Sequence, residues 1–173
     1  MKKKIICAVL LSAIVCGIAS CGDSKPAATT TAAASTAAPA ANESDASASD
    51  VTKAVLDEIP INSAFEKQKE SLEDYFDDLD VSDIVDFSYY ICASGAYPDE
   101  IAVFKFESAD DAEEAVESVE ARLEYQKTTY KDYTPDEYYK LEDAVIEQNG
   151  EWLIYLVTSD NAKAKEIALG AIG

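Results

Sequence analysis

From residue 51 onward the chain switches between two hydrophobic periods. Val51, Ala54 and Val55 share one helical face behind Asp50, a residue suited to cap a helix, and Pro60 bounds the segment. Ser63-x-x-Glu66 has the spacing of a capping box. Phe65, Leu72, Phe76 and Leu79 recur after it at helical intervals and predict a second helix. Between Ile84 and Ser94 the period shortens to two, with Val85, Phe87, Tyr89 and Ile91 on one side, which reads as a strand. A Ser-Gly-Ala-Tyr-Pro-Asp turn cluster at 94–99 leads into Ile101 to Phe106. That run is apolar on both faces except at Lys105, as an internal strand would be.

The second half repeats the alternation. Ser108 with Asp111 opens the longest helix, whose buried stripe runs through Ala112, Ala115, Val116, Val119, Leu123 and Tyr130. Thr134-Pro135-Asp136-Glu137 offers a cap, an N1 proline and an acid in the first turn, so a short helix restarts there. Asn149-Gly150 stands between Ala144-Val145-Ile146 and the run from Trp152 to Thr158. It predicts a hairpin closed by a type I′ turn with positive φ at both residues. Asp160 caps a last helix with Ala164, Ile167, Ala168, Ala171 and Ile172 on one face.

The predicted order is ααββααββα. Hairpins alternating with helices imply an α+β fold, a two-layer sandwich in which a four-stranded antiparallel sheet carries its helices on one face. The two ββα halves have the outline of an internal repeat without residue-level identity.

Particular residues add a resemblance. Glu100-Ile101-Ala102-Val103-Phe104-Lys105, the Ser-Ala-Asp-Asp that follows, the acidic helix through Arg122-Leu123, then Tyr133-x-Pro135, Leu141 and the Asn-Gly hairpin resemble the family known as domain of unknown function 4358. The resemblance covers most of residues 51 to 170. It implies a lipoprotein of Gram-positive, largely clostridial type, and brings no established activity, cofactor or site.

The N-terminal pattern is of another kind. Lys2, Lys3 and Lys4 precede an uncharged, mostly apolar run from Ile5 to Ala19, and small residues stand before Cys21: the three parts of a secretory signal over residues 1–20. A spanning helix needs about 20 apolar residues, and a polar stretch begins after Gly22. Ile18-Ala19-Ser20-Cys21 resembles the lipobox of bacterial lipoproteins, whereas Cys7 and Cys16 follow the bulky Ile6 and Val15. That resemblance implies a diacylglyceryl group on the Cys21 sulfur, with fatty chains such as palmitate, and cleavage just before this residue. Two chains give stable anchoring where one gives only marginal binding, at about 0.8 kcal/mol per buried CH₂.

Composition divides the remainder. Residues 21–50 hold the lipidated cysteine and an Ala/Thr/Ser/Pro segment with no aromatic residue, which cannot bury enough apolar surface to offset its ordering and reads as a disordered tether. Its 29 residues beyond Cys21 would span roughly 30 Å on average and about 100 Å at full stretch. Residues 51–173 make a single domain of 123 residues, enough for a proper core. Within it Cys92 has no partner cysteine, and its apolar neighbours favour a buried, inert thiol.

Charge narrows the partners. Without the three signal lysines, 11 Lys and Arg face 34 Asp and Glu, a net charge of −23. Such a body is repelled by phosphate backbones, so no nucleic-acid partner is expected. With no histidine in the chain, a Ser-His-Asp or Cys-His nucleophile and an imidazole zinc site are absent. Two carboxylates could in principle hydrolyse wall glycans, yet 34 acids single out no pair.

Three features remain as candidates. Asp77-Asp78-Leu79-Asp80-Val81-Ser82-Asp83 offers oxygen ligands of the kind calcium prefers, without an EF-hand's glycine or its twelfth-position glutamate; a solvated helix end is the alternative. Tyr125, Tyr130, Tyr133, Tyr138 and Tyr139 could stack on sugar rings or pack the rim of a sheet. Arg122, the only arginine, suits either a buried bidentate pair with a carboxylate such as Glu100 or the orienting group of an anion pocket. The expectation is a cell-membrane lipoprotein, lipid-anchored at Cys21 on the extracytoplasmic side. No cofactor is expected, nor a catalytic or metal site; the domain would be an interaction or assembly module meeting an envelope protein or wall component. The alternatives are a small-ligand or cation-binding lipoprotein and a carboxylate-dependent wall hydrolase.

Overall fold

The computed structural model describes residues 46–173. Cys21, the signal segment and the chain up to residue 45 lie outside the described residues. In order the elements are α1 (Ala48–Glu58), β1 (Ala64–Glu66), a 3₁₀ segment Lys69–Asp74, β2 (Ile84–Cys92), β3 (Glu100–Phe106), α2 (Ala109–Tyr133), a 3₁₀ turn Pro135–Glu137, α3 (Tyr139–Glu142), β4 (Val145–Asn149), β5 (Trp152–Val157) and α4 (Asn161–Ile172).

The fold is α+β with a five-stranded antiparallel sheet, in the order β1-β2-β3-β5-β4, rather than the expected four strands. The fifth strand is β1, which occupies the segment that helical spacing assigned to a second helix. Ser63 takes a positive φ of 52° instead of the extended conformation of a cap, and Ala64, Phe65 and Glu66 pair with Cys92, Ile91 and Tyr90. Leu72, Phe76 and Leu79 are buried all the same. Their three- and four-residue intervals are realised by a 3₁₀ segment and the turns after it, because 3₁₀ geometry also returns to one side every three residues.

Helices cover both faces of the sheet, which corrects the expected one-sided sandwich. On one face Ala102, Phe104 and Phe106 of β3 and Leu153, Tyr155 and Val157 of β5 pack with Ala112, Ala115 and Val119 of α2. On the other, Ile101 and Val103 with Trp152, Ile154 and Leu156 pack with Val51 and Val55 of α1 and Ala164, Ala168 and Ile172 of α4. All six side chains of β5 are buried. At roughly 1.5–3 kcal/mol for each large apolar side chain removed from water, neither half of that strand could be left facing solvent.

Local chemistry sets the finer points. Ser47, not Asp50, caps α1, and Asp50 is its reciprocal partner in a capping box. Asp86 of β2 reaches the same helix start, its carboxylate accepting from the Ala48 N–H at 2.7 Å. It can do so because the β2 register shifts between Ile84 and Asp86, a bulge that leaves Val85 56% exposed and takes it off the face it was expected to share with Phe87, Tyr89 and Ile91. Cys92 is buried as expected, its thiol donating to the Asn62 carbonyl at 3.0 Å. Ser108 and Asp160 cap α2 and α4 as their positions suggested. Thr134 gives no side-chain cap, although Pro135 does open a 3₁₀ turn.

The β4–β5 hairpin forms with Asn149 opposite Trp152, so Gly150 and Glu151 are its two loop residues. Only Gly150 has positive φ, at 60°, which is the II′ arrangement in place of the expected I′. A Cβ at Gly150 would meet nothing within 4 Å. Gly150→Val should therefore cost about 1–3 kcal/mol through backbone strain alone, read as a lower urea midpoint with an unchanged slope.

Candidate functional site

The buried stripe of α2 changes character along its length. Ala112, Ala115 and Val119 are apolar, and one turn further the same face carries Arg122 and then the fully buried Gln126. Beneath them lies Glu100, the first residue of β3, 3% exposed and on the α2 side of the sheet with Ala102 and Phe104. Arg122 grips Glu100 bidentately, Nε donating to Oε2 at 3.2 Å and Nη2 to Oε1. This is the structural pair that the only arginine suggested. Burial raises the Glu100 carboxyl above its ordinary value, against the opposing hydrogen bonds and charge of Arg122. Burial pulls the guanidinium down, but Glu100 more than offsets this and holds it up.

Polar contacts spread from this pair. Gln126 Nε2 donates to the Pro98 carbonyl at 3.1 Å, and Tyr155 Oη donates to Gln126 Oε1. Tyr130 Oη donates to the Tyr97 carbonyl at 3.1 Å. Lys140, 7% exposed, donates to both oxygens of Asp99 at 2.9 and 3.0 Å and pairs with Glu137 at 2.6 Å, and its own carbonyl accepts from Asn161. The stretch from Tyr97 to Glu100 is thus held by α2 and α3 through side chains. Tyr89 is buried between Tyr75 and Phe76, its hydroxyl near the Glu100 carboxyl but without a well-formed hydrogen bond among the described residues. Burial first, and then the charge of Glu100, push its phenol far up.

Above the Glu100–Arg122 pair opens a cleft of about 460 Å³ lined by Lys67, Asp74, Tyr75, Asp77, Ala121, Arg122 and Tyr125. Lys67 and Arg122 both stand against the Tyr75 ring, at 4.5 and 5.0 Å from its centroid, and Arg122 lies 5.6 Å from the ring of Tyr125. Lys67 is placed by its backbone N–H, which donates to the Tyr89 carbonyl beyond the end of β1. Asp74 and Asp77 come from the end of the 3₁₀ segment and the turn after it.

The sequence candidates end up in different places. Arg122 is paired with Glu100, the first of its two suggested settings, and it also lines the cleft. Of the five tyrosines only Tyr125 reaches this cleft; Tyr130 is half-buried, Tyr138 packs on the core, and Tyr133 and Tyr139 face solvent elsewhere. Asp77 lines the cleft, whereas Asp80 accepts from the Ser82 N–H and hydroxyl, which hold its carboxyl below the ordinary value. Among the described residues no three His, Cys, Asp or Glu side chains stand together so as to hold a metal ion. Lys67 and Tyr75 escaped sequence reading because their segment carried a helical signal, and the Lys140–Asp99 pair because a lysine beside Tyr139 and Leu141 looks like an exposed helix position.

Together these features define a class: a small α+β domain with helices on both sheet faces and a mixed-charge, aromatic-walled cleft over a buried ion pair. Residues 58–158 match the model of a family described as a domain of unknown function, DUF4358, and the chain belongs to it. No curated protein and no solved structure matches the chain.

Two predictions follow from the buried groups. Arg122→Met or Glu100→Leu alone should cost about 3–5 kcal/mol by stranding the other charge, whereas the double variant should recover most of that loss; chemical denaturation of the three variants measures the coupling. Tyr89, Tyr130, Tyr155 and Lys140 all hold their protons more tightly folded than unfolded. The stability they contribute is present below the ordinary tyrosine value of 10.0 and is lost as pH rises above it. An alkaline titration should show the tyrosinate absorbance of the buried phenols emerging together with unfolding.

Proposed function

We propose that the chain is an extracytoplasmic lipoprotein, held to the cell membrane by a diacylglyceryl group on Cys21, whose folded domain is a non-catalytic module that binds a small ligand at the envelope. The anchoring half rests on the Lys2–Lys4 head, the apolar run to Ala19 and the Ile-Ala-Ser-Cys sequence at 18–21. The binding half rests on one observation, the cleft in which Lys67, Arg122, Asp74, Asp77 and two tyrosine rings converge. A concave site with a few convergent polar groups is what ligand binding requires.

Two comparisons favour this over the other readings. An assembly module docking through its sheet would need an uncovered apolar face, and here both faces are covered by helices. A carboxylate-dependent hydrolase would need a general acid whose carboxyl is raised above its ordinary value and is also open to substrate. The carboxyl most strongly buried, Glu100, has both oxygens committed to Arg122 beneath the cleft.

Intact-mass measurement on protein from its own host should show a chain beginning at Cys21 and heavier by an acylated glyceryl group, recovered in the membrane fraction. Cys21→Ala should abolish both the added mass and the membrane association. Wild-type chain that is unprocessed or bare of acyl groups overturns the anchoring half.

A further inference from the structure

The cleft carries more chemistry than a generic pocket. Its more buried wall is cationic: Lys67 makes no ion pair among the described residues, and its ammonium stands over the rings of Phe65 and Tyr75. Arg122 spends Nε and Nη2 on Glu100 and leaves Nη1 without a hydrogen bond among the described residues. Both cations stand against the one Tyr75 ring and line the same cleft, where N–H groups of each are open to an anionic group. The outer wall is anionic: Asp74 and Asp77 are exposed and have no hydrogen-bond or ion-pair partner among the described residues. Tyr125, 64% exposed, presents an aromatic surface beside them.

Charge balance selects among ligand types. A plain anion would have to approach a mature chain of net charge −23 and pass two unpaired carboxylates. A plain cation would find Asp74 and Asp77 but would also face Lys67 and Arg122. A molecule carrying both signs and no net charge meets neither objection, and it can satisfy both walls at once. The cleft volume of about 460 Å³ holds an amino acid or a dipeptide.

We propose that this cleft binds a small zwitterion, an amino acid or short peptide, its carboxylate held by Lys67 and Arg122, its ammonium by Asp74 and Asp77, and its side chain against Tyr125. The assignment rests on the binding role proposed above and names the ligand chemistry for that same site.

Calorimetric titration of the full chain tests it with L-alanine, D-alanine and L-alanyl-L-alanine, and with acetate and methylammonium as the two charged halves alone. The zwitterions should bind saturably and each half at least about tenfold more weakly; comparing alanine with alanyl-alanine separates a free amino acid from a peptide. Lys67→Gln and Asp77→Asn should each weaken zwitterion binding by about tenfold, with the melting temperature of the unliganded protein unchanged. Acetate or methylammonium binding as well as alanine, no effect of Lys67→Gln, or no binding of any zwitterion overturns the assignment. A photo-crosslinker in place of Tyr125, activated in the host, separates this from the broader reading. Recovery of some other envelope molecule there would sink the zwitterion and keep the binding role, and recovery of nothing would sink both.

Discussion

Six buried side chains in a row along β5, and Ile101 to Phe104 buried beside them on β3, leave the centre of this sheet no face to give to water. That constraint orders the rest of the domain. β3 and β5 pair with each other, each brings its own hairpin partner, and the two resulting hairpins form one sheet with the most apolar strands innermost. The helix that follows β3 covers one side, and the helix that follows β5 joins α1 on the other. Neither cover can be dispensed with, because the apolar area under each would otherwise be exposed.

Within that frame the long helix does two jobs along one stripe. Its first turns fill the core with alanine and valine, and its later turns carry Arg122, Gln126 and Tyr130 over the start of β3, where Glu100, Pro98 and Tyr97 await polar partners. A buried ion pair adds little net stability against an apolar substitute, yet it penalises any arrangement that separates the partners. In this domain it fixes how α2 sits over β3, and so fixes where Arg122 and Tyr125 stand relative to Lys67 and Tyr75. The cleft inherits its geometry from the pair below it.

Much of this was legible in the chain. The alternating strand of residues 84–92, the capped helices at Ser108 and Asp160, the glycine turn and the Arg122–Glu100 partnership all announce themselves through local period, cap chemistry or the scarcity of a residue type. The both-sided apolar run at 101–106 even carries the second helical layer, since an internal strand with no polar face needs cover twice. What stayed hidden depends on distant pairing. Ala64–Glu66 is a strand only because Tyr90 to Cys92 offer it an edge, and nothing within residues 63–79 distinguishes that from a helix with a capping box. The cleft stayed hidden for the same reason, because four of its seven lining residues come from that segment. The turn type at Gly150 was missed by one residue of register, which spacing alone does not fix.

The capping of α1 has a mechanical consequence. The chain reaches the domain at Ser47, where the helix start is clasped by its own capping box and by Asp86 of β2, on the side of the sheet away from the cleft. Any tension transmitted along the backbone from residue 46 is delivered into α1 and, through Asp86, into β2, across the sheet from the face that carries Tyr75 and the long helix α2. The cleft thereby stands on the opposite side of the sheet from the point where strain would be applied.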